Sequence, residues 1–254
     1  MGKVIGIGGI FIKSENPEKL KTWYKDHLGI ESIFRWQRVG DYIPSYTLWN
    51  AFSANSKVFD GIKNDYLFTY IVDDLPSILD HFKKVDIKVL TLEKDVSIEF
   101  AYVDDGDGNK LILWQPGTND PGIPSIESEK VTGLGGVFQK SPDIKKLNDW
   151  YATNLGFEVT EWGCSFEWVD PKNTVSKGLA QTAWSIFKSD SDYFNPSKKQ
   201  FMINYRVKNL TELLKNLKDE GVEMAGEMQE FSYGKFGWVM DAEGNKIELW
   251  ESIE

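Results

Sequence analysis

The sequence predicts an α+β protein of two homologous domains in tandem, each made of two β-α-β-β-β units. The first observation is an internal repeat, since residues 6–31 and 133–158 are identical at 13 of 26 aligned positions. The second is a pair of closing segments, YVDDGDGNKLILW at 102–114 and WVMDAEGNKIELW at 238–250. The first repeat is offset by 127 residues, half of the 254-residue chain, so each copy is expected to fold as one domain.

Within one copy, the residue pattern predicts the elements in order. The apolar run at 5–12 predicts a strand, and Pro17 with the apolar spacing that follows predicts a helix ending at Gly29. The turns at 105–109 and 241–245 carry the Gly and Asn residues typical of hairpins. The other expected elements are strands at 31–38 and 45–53, a strand at 66–72, a helix at 75–84, and strands near 86–93, 97–104 and 110–115.

The domain boundaries follow from the repeat and from composition. The segment PGTNDPGIPSIESEK is rich in Pro, Gly, Ser and Asn and is typical of a linker. We therefore expect domain 1 at 1–116, a linker at 117–130 and domain 2 at 131–254.

Composition excludes several classes of partner. The chain has 29 Lys and Arg against 39 Asp and Glu, a net charge of −10, and no basic run that could follow a phosphate backbone, so no nucleic-acid partner is expected. No segment approaches the roughly 20 apolar residues of a membrane span, and no signal peptide is visible. The single cysteine, Cys164, cannot form an internal disulfide, so a cytoplasmic location is expected.

The repeated motifs resemble those of a known superfamily. The glycine-capped helices WYKDHLGI and WYATNLGF, the closing segments GNKLILW and GNKIELW, and the doubled layout are similar to the vicinal oxygen chelate superfamily. This group includes glyoxalase I, bleomycin-resistance proteins and extradiol dioxygenases. The resemblance implies that each domain curls two units into a cup-shaped mixed sheet around a small-molecule site. It also implies a monomer whose two domains pair within the chain.

Metal-binding members of the superfamily take ligands from the first and last strands of each unit. The resemblance places four residues of this chain's second domain there, namely Gly136, Ser185, Met202 and Glu248. The first-domain equivalents are Gly9, Asn50, Leu67 and Ile112. Glycine and aliphatic side chains offer no ligand, and one carboxylate rarely holds a divalent ion against water. We therefore expect no metal and no other cofactor.

Strand alternation predicts which side chains line each cup. If Glu248 faces the cup of domain 2, the residues two positions along its strand and on the neighbouring strands face it as well. The candidate ligand-binding residues are Lys140, Trp184, Ser185, Asn204, Arg206 and Trp250, with Glu248 as the candidate catalytic residue. The same parity in domain 1 gives a more apolar cup.

Structural alternatives exist for each of these residues. Glu248 could form an internal ion pair with Arg206 or Lys140, and the tryptophans could pack in the core. The two histidines, His27 and His81, are expected on helices outside the cups, and Cys164 lies far in sequence from either of them.

Two functional hypotheses follow. The first is a protein that binds a small organic molecule in a β-sheet cup without the usual metal, as glyoxalase-like and bleomycin-resistance proteins bind their ligands in clefts. The alternative is a metal-dependent lyase, isomerase or dioxygenase with an atypical site around Glu248. A protein-interaction module draws support only from the tandem duplication.

Overall fold

The computed structural model describes residues 1–40, 44–94, 98–116, 128, 130–169 and 178–253. The first half contains β1 (Val4–Ser14), α1 (Pro17–Trp23), β2 (Ile33–Arg38), β3 (Pro44–Ser53), β4 (Tyr66–Val72), α2 (Leu75–Lys84), β5 (Val89–Lys94), β6 (Glu99–Asp104) and β7 (Lys110–Gln115). The second half contains β8 (Val131–Ser141), α3 (Ile144–Leu155), β9 (Cys164–Val169), β10 (Leu179–Lys188), β11 (Phe201–Val207), α4 (Leu210–Asp219), β12 (Gln229–Phe231), β13 (Gly234–Met240) and β14 (Lys246–Ser252). Of the expected linker, residues 117–127 and 129 lie outside the described residues.

All fourteen described strands belong to one mixed sheet. Its order is β12-β13-β14-β11-β8-β10-β9-β2-β3-β1-β4-β7-β6-β5, so the strands of each half are contiguous. The two halves join where β2 pairs antiparallel with β9, through Gln37 opposite Val169 and Arg38 opposite Trp168. The two halves thus share one continuous sheet.

The first helix of each half starts and ends by the same local chemistry. The side chain of Asn16 accepts a hydrogen bond from the third amide of α1, and Asp143 does the same for α3. A π-helical turn, Tyr24–Leu28, extends α1. Gly29 (φ 68°) and Gly156 (φ 71°) end the two helical segments in the left-handed conformation that glycine adopts without strain.

The number of strands in the first unit of each half differs from the prediction. Among the described residues, this unit contains three strands, β1 to β3 and β8 to β10, where the repeat pattern predicts four. Residues 29–32 connect helix and strand directly in the first half, and the second half has only an isolated bridge between Thr160 and Gly163. The second unit of each half has the four strands expected.

The sheet separates two kinds of core. One face packs against the helices and forms a hydrophobic core that includes residues of both halves, such as Tyr24, Tyr70, Tyr151 and Tyr205. The opposite face forms two smaller clusters, one mostly of first-half residues with Trp168 and Ala180 of the second half, and one within the second half. We call this face of β1–β7 the N-terminal cup and this face of β8–β14 the C-terminal cup.

The halves exchange hydrogen bonds across their interface in a near-symmetric way. The hydroxyl of Tyr24, from the helical segment of the first half, donates to Asp241 Oδ2 in the second half at 3.0 Å. The hydroxyl of Tyr151 on α3 donates to Asp105 Oδ2 in the first half at 3.1 Å. Both aspartates belong to the predicted hairpin turns, and in both the pKa is raised, chiefly by burial. Each half therefore completes a turn of the other.

Both histidines lie on helical segments away from the cups, as predicted. His27 Nδ1 lies 2.6 Å from Glu220 Oε2, and His81 Nε2 lies 3.0 Å from Asn154 Oδ1. Each contact joins one half to the other. Among the described helices, none has both the length and the apolar content needed to cross a membrane.

Candidate functional site

One row of residues crosses the C-terminal cup from strand to strand. Gly136 on β8 is opposite Ala183 on β10 and Asn204 on β11, and Asn204 is opposite Glu248 on β14. Trp238 on β13 is opposite Glu248 and completes the row.

The register corrects two of the expected positions. Met202 is opposite Phe138 and lies two residues along β11 from the row. Asn204, which is opposite Gly136, therefore takes the position expected for Met202. Ser185 is also opposite Phe138, and Ala183 takes the position expected for Ser185. The sequence shows neither shift, because a strand's alternation gives the face of a side chain and not its register against a neighbour.

Neutral donors surround the Glu248 carboxylate. Asn204 Nδ2 donates to Oε1 at 2.6 Å, and Trp238 Nε1 donates to Oε2 at 2.8 Å. The Tyr193 hydroxyl also donates to Oε2. Glu248 is only 3% exposed, so these hydrogen bonds replace the water that a carboxylate would otherwise bind.

Tyr193 reaches Glu248 from a short 3₁₀ turn, Asp192–Phe194, between β10 and β11. Ser191 caps the turn, and Phe194 is fully buried beneath it. The Tyr193 ring stacks on Phe187 with 5.3 Å between ring centroids and an interplanar angle of 4°. Burial and the adjacent Glu248 carboxylate raise the Tyr193 pKa, so the hydroxyl stays a donor. Tyr193 was absent from the sequence prediction.

The two lysines that face the cup stabilise the loop that carries Tyr193. Lys140 Nζ donates to the Ser191 carbonyl oxygen at 2.8 Å, and Lys246 Nζ donates to the Tyr193 carbonyl oxygen at 2.7 Å. Burial lowers the pKa of Lys246, although the Glu248 charge opposes that shift. The alternative of an ion pair between Lys140 and Glu248 is therefore not what the structure has, since the Lys140 ammonium donates to a backbone carbonyl oxygen. In this structure Lys140 thus supports the loop, and its contact with a ligand stays a prediction.

The N-terminal cup has the same lysine arrangement. Lys13 Nζ donates to the Ile62 carbonyl oxygen at 3.3 Å, and Lys110 Nζ donates to the Asp60 carbonyl oxygen at 2.7 Å. Since both cups use lysines in this way, the arrangement belongs to the fold and does not mark a site.

Aromatic side chains and Arg206 form one rim of the C-terminal cup. The Arg206 guanidinium lies 4.7 Å from the Trp250 ring centroid and donates to Ser252 Oγ at 2.8 Å. The Trp250 ring stacks on Phe236 at 5.9 Å and 8°. Two exposed rings continue this cluster on the β12–β13 hairpin, Phe231 and Tyr233. We call these residues the aromatic rim: Arg206, Phe231, Tyr233, Phe236 and Trp250.

The structure places Trp184 outside the cup and gives the Ser185 hydroxyl a backbone partner. Trp184 points to the helix side of the sheet, is fully buried, and donates from Nε1 to the Tyr70 hydroxyl oxygen at 3.1 Å. The predicted ligand-binding role of Trp184 is thus wrong. Side chains alternate along a strand, and Trp184 lies between Ala183 and Ser185, which both face the cup. Ser185 faces the cup, but its hydroxyl donates to the Trp162 carbonyl oxygen at 2.5 Å.

Cys164 is buried in the helix-side core. Burial raises the pKa of its thiol to about 12, which keeps it protonated and unreactive near neutral pH.

The donors in the row do not fit a divalent cation. The row offers one carboxylate and one amide, and both carboxylate oxygens of Glu248 already accept hydrogen bonds from neutral donors. Across the described ranges, no three His, Cys, Asp or Glu side chains converge in a way that could hold a metal ion. A divalent site would need more anionic or imidazole ligands than this row contains.

A groove of about 550 Å³ lies away from both cups, at the junction of the halves. The backbone N–H of Lys3 donates to Asp73 Oδ1 at 2.7 Å, and its ammonium lies 3.9 Å from Glu158. Asp73 and Glu158 thus already contact Lys3, and the groove is a weaker candidate than the C-terminal cup, where three donors hold a buried carboxylate.

Solved structures share this fold across nearly the whole chain. A catechol 2,3-dioxygenase structure is 12% identical, with a TM-score of 0.63, and the match covers 98% of this chain and 88% of that one. The Mn(II)-bound glyoxalase from Novosphingobium aromaticivorans is 12% identical, with a TM-score of 0.64 and coverage of 100% and 84%. The 2,2',3-trihydroxybiphenyl 1,2-dioxygenase from Sphingomonas wittichii strain RW1 is 14% identical, with a TM-score of 0.60 and coverage of 98% and 91%.

These matches confirm the predicted α+β fold, since the chain shares the mixed-sheet architecture of these dioxygenase and glyoxalase structures over nearly its whole length. No protein-family model matches the chain, and no curated protein sequence is significantly similar to it. Identities of this size show the fold alone, so function has to be argued from the site.

Proposed function

We propose that the protein binds a small organic molecule in the C-terminal cup, at Glu248, without a divalent metal. The observation that supports this most directly is the buried carboxylate held by Asn204, Trp238 and Tyr193. Burying a charged group costs free energy, and apolar residues would fill the same space at lower cost. A cup that served only stability would not need this carboxylate.

The N-terminal cup shows what such an apolar filling is. At the positions of Asn204, Glu248 and Trp238 it has Thr69, Ile112 and Tyr102. Its interior is an apolar cluster that also takes in Trp168 and Ala180 of the second half. We therefore assign the binding function to the second half alone.

The chemistry of the C-terminal cup favours a ligand with an apolar, planar body. The aromatic rim offers exposed rings, since Phe231 is 41% and Tyr233 is 60% exposed. Rings of this kind stack on flat ligands, and the few polar groups fix the orientation of the ligand. In this proposal Glu248 supplies a hydrogen-bond acceptor, and Arg206 and Trp250 contribute to one wall.

The test compares matched variants of the two cups. A thermal-shift screen of metabolites and antibiotics first identifies a ligand, because a ligand that binds the native state raises its melting temperature. We expect Glu248→Gln and Arg206→Ala to weaken binding by roughly tenfold, as expected for the loss of one charged hydrogen bond or cation–π contact. Ile112→Val and Ile71→Ala should lower stability and leave affinity unchanged. Equal affinity in all four variants would remove the assignment to the C-terminal cup.

A second candidate is a metal-dependent lyase, isomerase or dioxygenase with an atypical site at Glu248. Its support is the fold of the enzymes described above and the position of Glu248 on the closing strand of the second half. Metal analysis of protein purified without chelator or nickel affinity separates the candidates. Stoichiometric zinc, iron, nickel or manganese would favour the enzyme, and protein that binds the ligand while free of metal would favour the first proposal.

We further propose that the protein is a cytoplasmic monomer in which the two halves pair with each other. The hydrogen bonds exchanged through Tyr24 and Tyr151 support the internal pairing. The buried, protonated thiol of Cys164 is compatible with a reducing compartment. Light scattering coupled to size-exclusion chromatography tests the monomer, which has a mass of 29.1 kDa.

A further inference from the structure

The Tyr193 side chain lies against Glu248 in the C-terminal cup. Its contacts there support an inference that rests on the proposed binding function of this cup. Tyr193 makes the contacts that a bound aromatic molecule would make. Its ring stacks on Phe187, its hydroxyl donates to Glu248 Oε2, and its ring meets Trp238 edge-on at 6.2 Å and 86°. The residue is nevertheless 37% exposed, so solvent reaches the ring on one side.

The fold of the loop does not require this tyrosine. In the N-terminal cup the equivalent 3₁₀ turn is Lys57–Phe59, capped by Ser56 as Ser191 caps the other. Phe59 is buried as Phe194 is, and lysines hold the backbone of both loops. The position of Tyr193 is taken there by Val58, which packs against the apolar cluster. A tyrosine occurs only where the cup also contains a carboxylate.

We propose that Tyr193 is a displaceable plug, which occupies the ligand's place in the closed cup and moves outward when a ligand binds. The loop backbone stays fixed by its lysines, and only the side chain turns toward solvent. The stacking surface of Phe187 and the Glu248 oxygen then become available together.

The plug also defines the class of ligand. Removal of the Tyr193 hydroxyl leaves a buried carboxylate oxygen with one donor fewer, which is costly unless the ligand replaces that donor. The ligand is therefore a planar ring that carries an N–H or O–H donor. A ring without a donor gains the stacking contact but leaves the carboxylate oxygen short of a hydrogen bond.

Calorimetric titration of the full-length protein with phenol, indole and toluene tests this inference. Phenol and indole carry a donor, and toluene is a ring of similar size without one. Tyr193→Phe keeps the ring and loses the competing hydrogen bond, so it should bind phenol and indole roughly tenfold more tightly than the native protein. Tyr193→Ala empties the place of the ring and should bind phenol at least tenfold more tightly than toluene. Val58→Ala, the matched change in the N-terminal cup, should not alter binding of any probe.

The outcomes separate the plug from the binding function. If Tyr193→Phe and Tyr193→Ala bind the probes no more tightly than the native protein, while Glu248→Gln weakens binding, the plug is overturned and the binding function stands. If Glu248→Gln binds all probes as the native protein does, or if no variant binds any probe, both are overturned. If Tyr193→Ala does not fold, the affinity of Tyr193→Phe for phenol and indole, relative to that of the native protein, decides whether Tyr193 acts as a plug. Loss of the preference for phenol over toluene in Glu248→Gln would support the assigned donor contact.

Discussion

In the N-terminal cup Ile112 occupies the strand position that Glu248 has in the C-terminal cup, since Ile112 is opposite Thr69 and Tyr102 as Glu248 is opposite Asn204 and Trp238. The neighbouring positions differ in the same sense, with Thr69 in place of Asn204. Thr69 is opposite the aliphatic Ile112, and its hydroxyl oxygen accepts a hydrogen bond from Trp114 Nε1 at 3.2 Å. The Glu248 carboxylate and its donors Asn204, Trp238 and Tyr193 therefore occur together in one cup, and at the matching positions the other cup has neither the carboxylate nor these donors.

The largest expected effect is from placing a carboxylate in the wrong cup. Ile112→Glu buries an acid among apolar side chains with no matched set of donors, and should lower the free energy of unfolding by about 3 to 5 kcal/mol. Urea denaturation measures this change. Adding Thr69→Asn and Tyr102→Trp supplies the donors found in the other cup and should recover part of the loss. If Ile112→Glu alone lowers the free energy of unfolding by less than about 1 kcal/mol, water reaches the interior of the N-terminal cup and solvates the carboxylate.

The next effect concerns the hydrogen bonds that the halves exchange. Tyr24→Phe and Tyr151→Phe each remove one donor from a buried aspartate, and each should cost about 1 to 2 kcal/mol. The two losses should be similar, because the two contacts have nearly the same geometry. A large loss for one tyrosine and none for the other, measured by denaturation at neutral pH, would show that the interface is not symmetric in energy.

The same aspartates should make stability depend on pH. Burial raises the pKa of Asp105 and Asp241 above the usual 3.8, so the folded protein holds these protons to a higher pH than the unfolded chain does. Their contribution is therefore complete below the unfolded pKa and declines as pH rises through the folded pKa. Asp241→Asn should flatten the profile of melting temperature in this acidic window. An unchanged profile in both Asp241→Asn and Asp105→Asn would contradict the role of these groups.

The smallest expected effect is at a histidine. The contact of His27 with Glu220 is partly exposed, and His27→Gln should change stability by less than about 0.5 kcal/mol. Ligand binding in the C-terminal cup should not change, because His27 lies on the helix side of the sheet. Loss of binding in this variant, measured by calorimetry against the native protein, would connect the interface of the halves to the cup.

Much of the fold could be predicted from the sequence, because it depends on short-range patterns. The repeat defined two halves, the glycine after each first helix marked its end, and alternation placed Glu248, Asn204 and Trp250 in the cup. The alternation of β10 also determines that Trp184 and Ser185, as neighbours in one strand, lie on opposite faces of the sheet.

The partners of Glu248 could not be predicted in the same way. Trp238 contacts Glu248 only through the register of two strands, and Tyr193 comes from a turn 55 residues away in sequence. The register shift between Asn204 and Tyr205 against β8 likewise depends on an irregularity that no residue pattern specifies. A direct alignment of the loops SKVF and SDYF would have shown that Tyr193 replaces Val58, which is the one signal the sequence offered.

The reciprocal contacts of Tyr24 with Asp241 and Tyr151 with Asp105 have a consequence for any attempt to divide the chain. A half produced by itself would expose the large apolar surface that now lies between the helices, and its hairpin aspartate would lose its phenolic donor. Such a fragment would be driven to self-associate or to precipitate. Co-expressed halves, by contrast, contain every group needed to rebuild the intact molecule without a covalent connection.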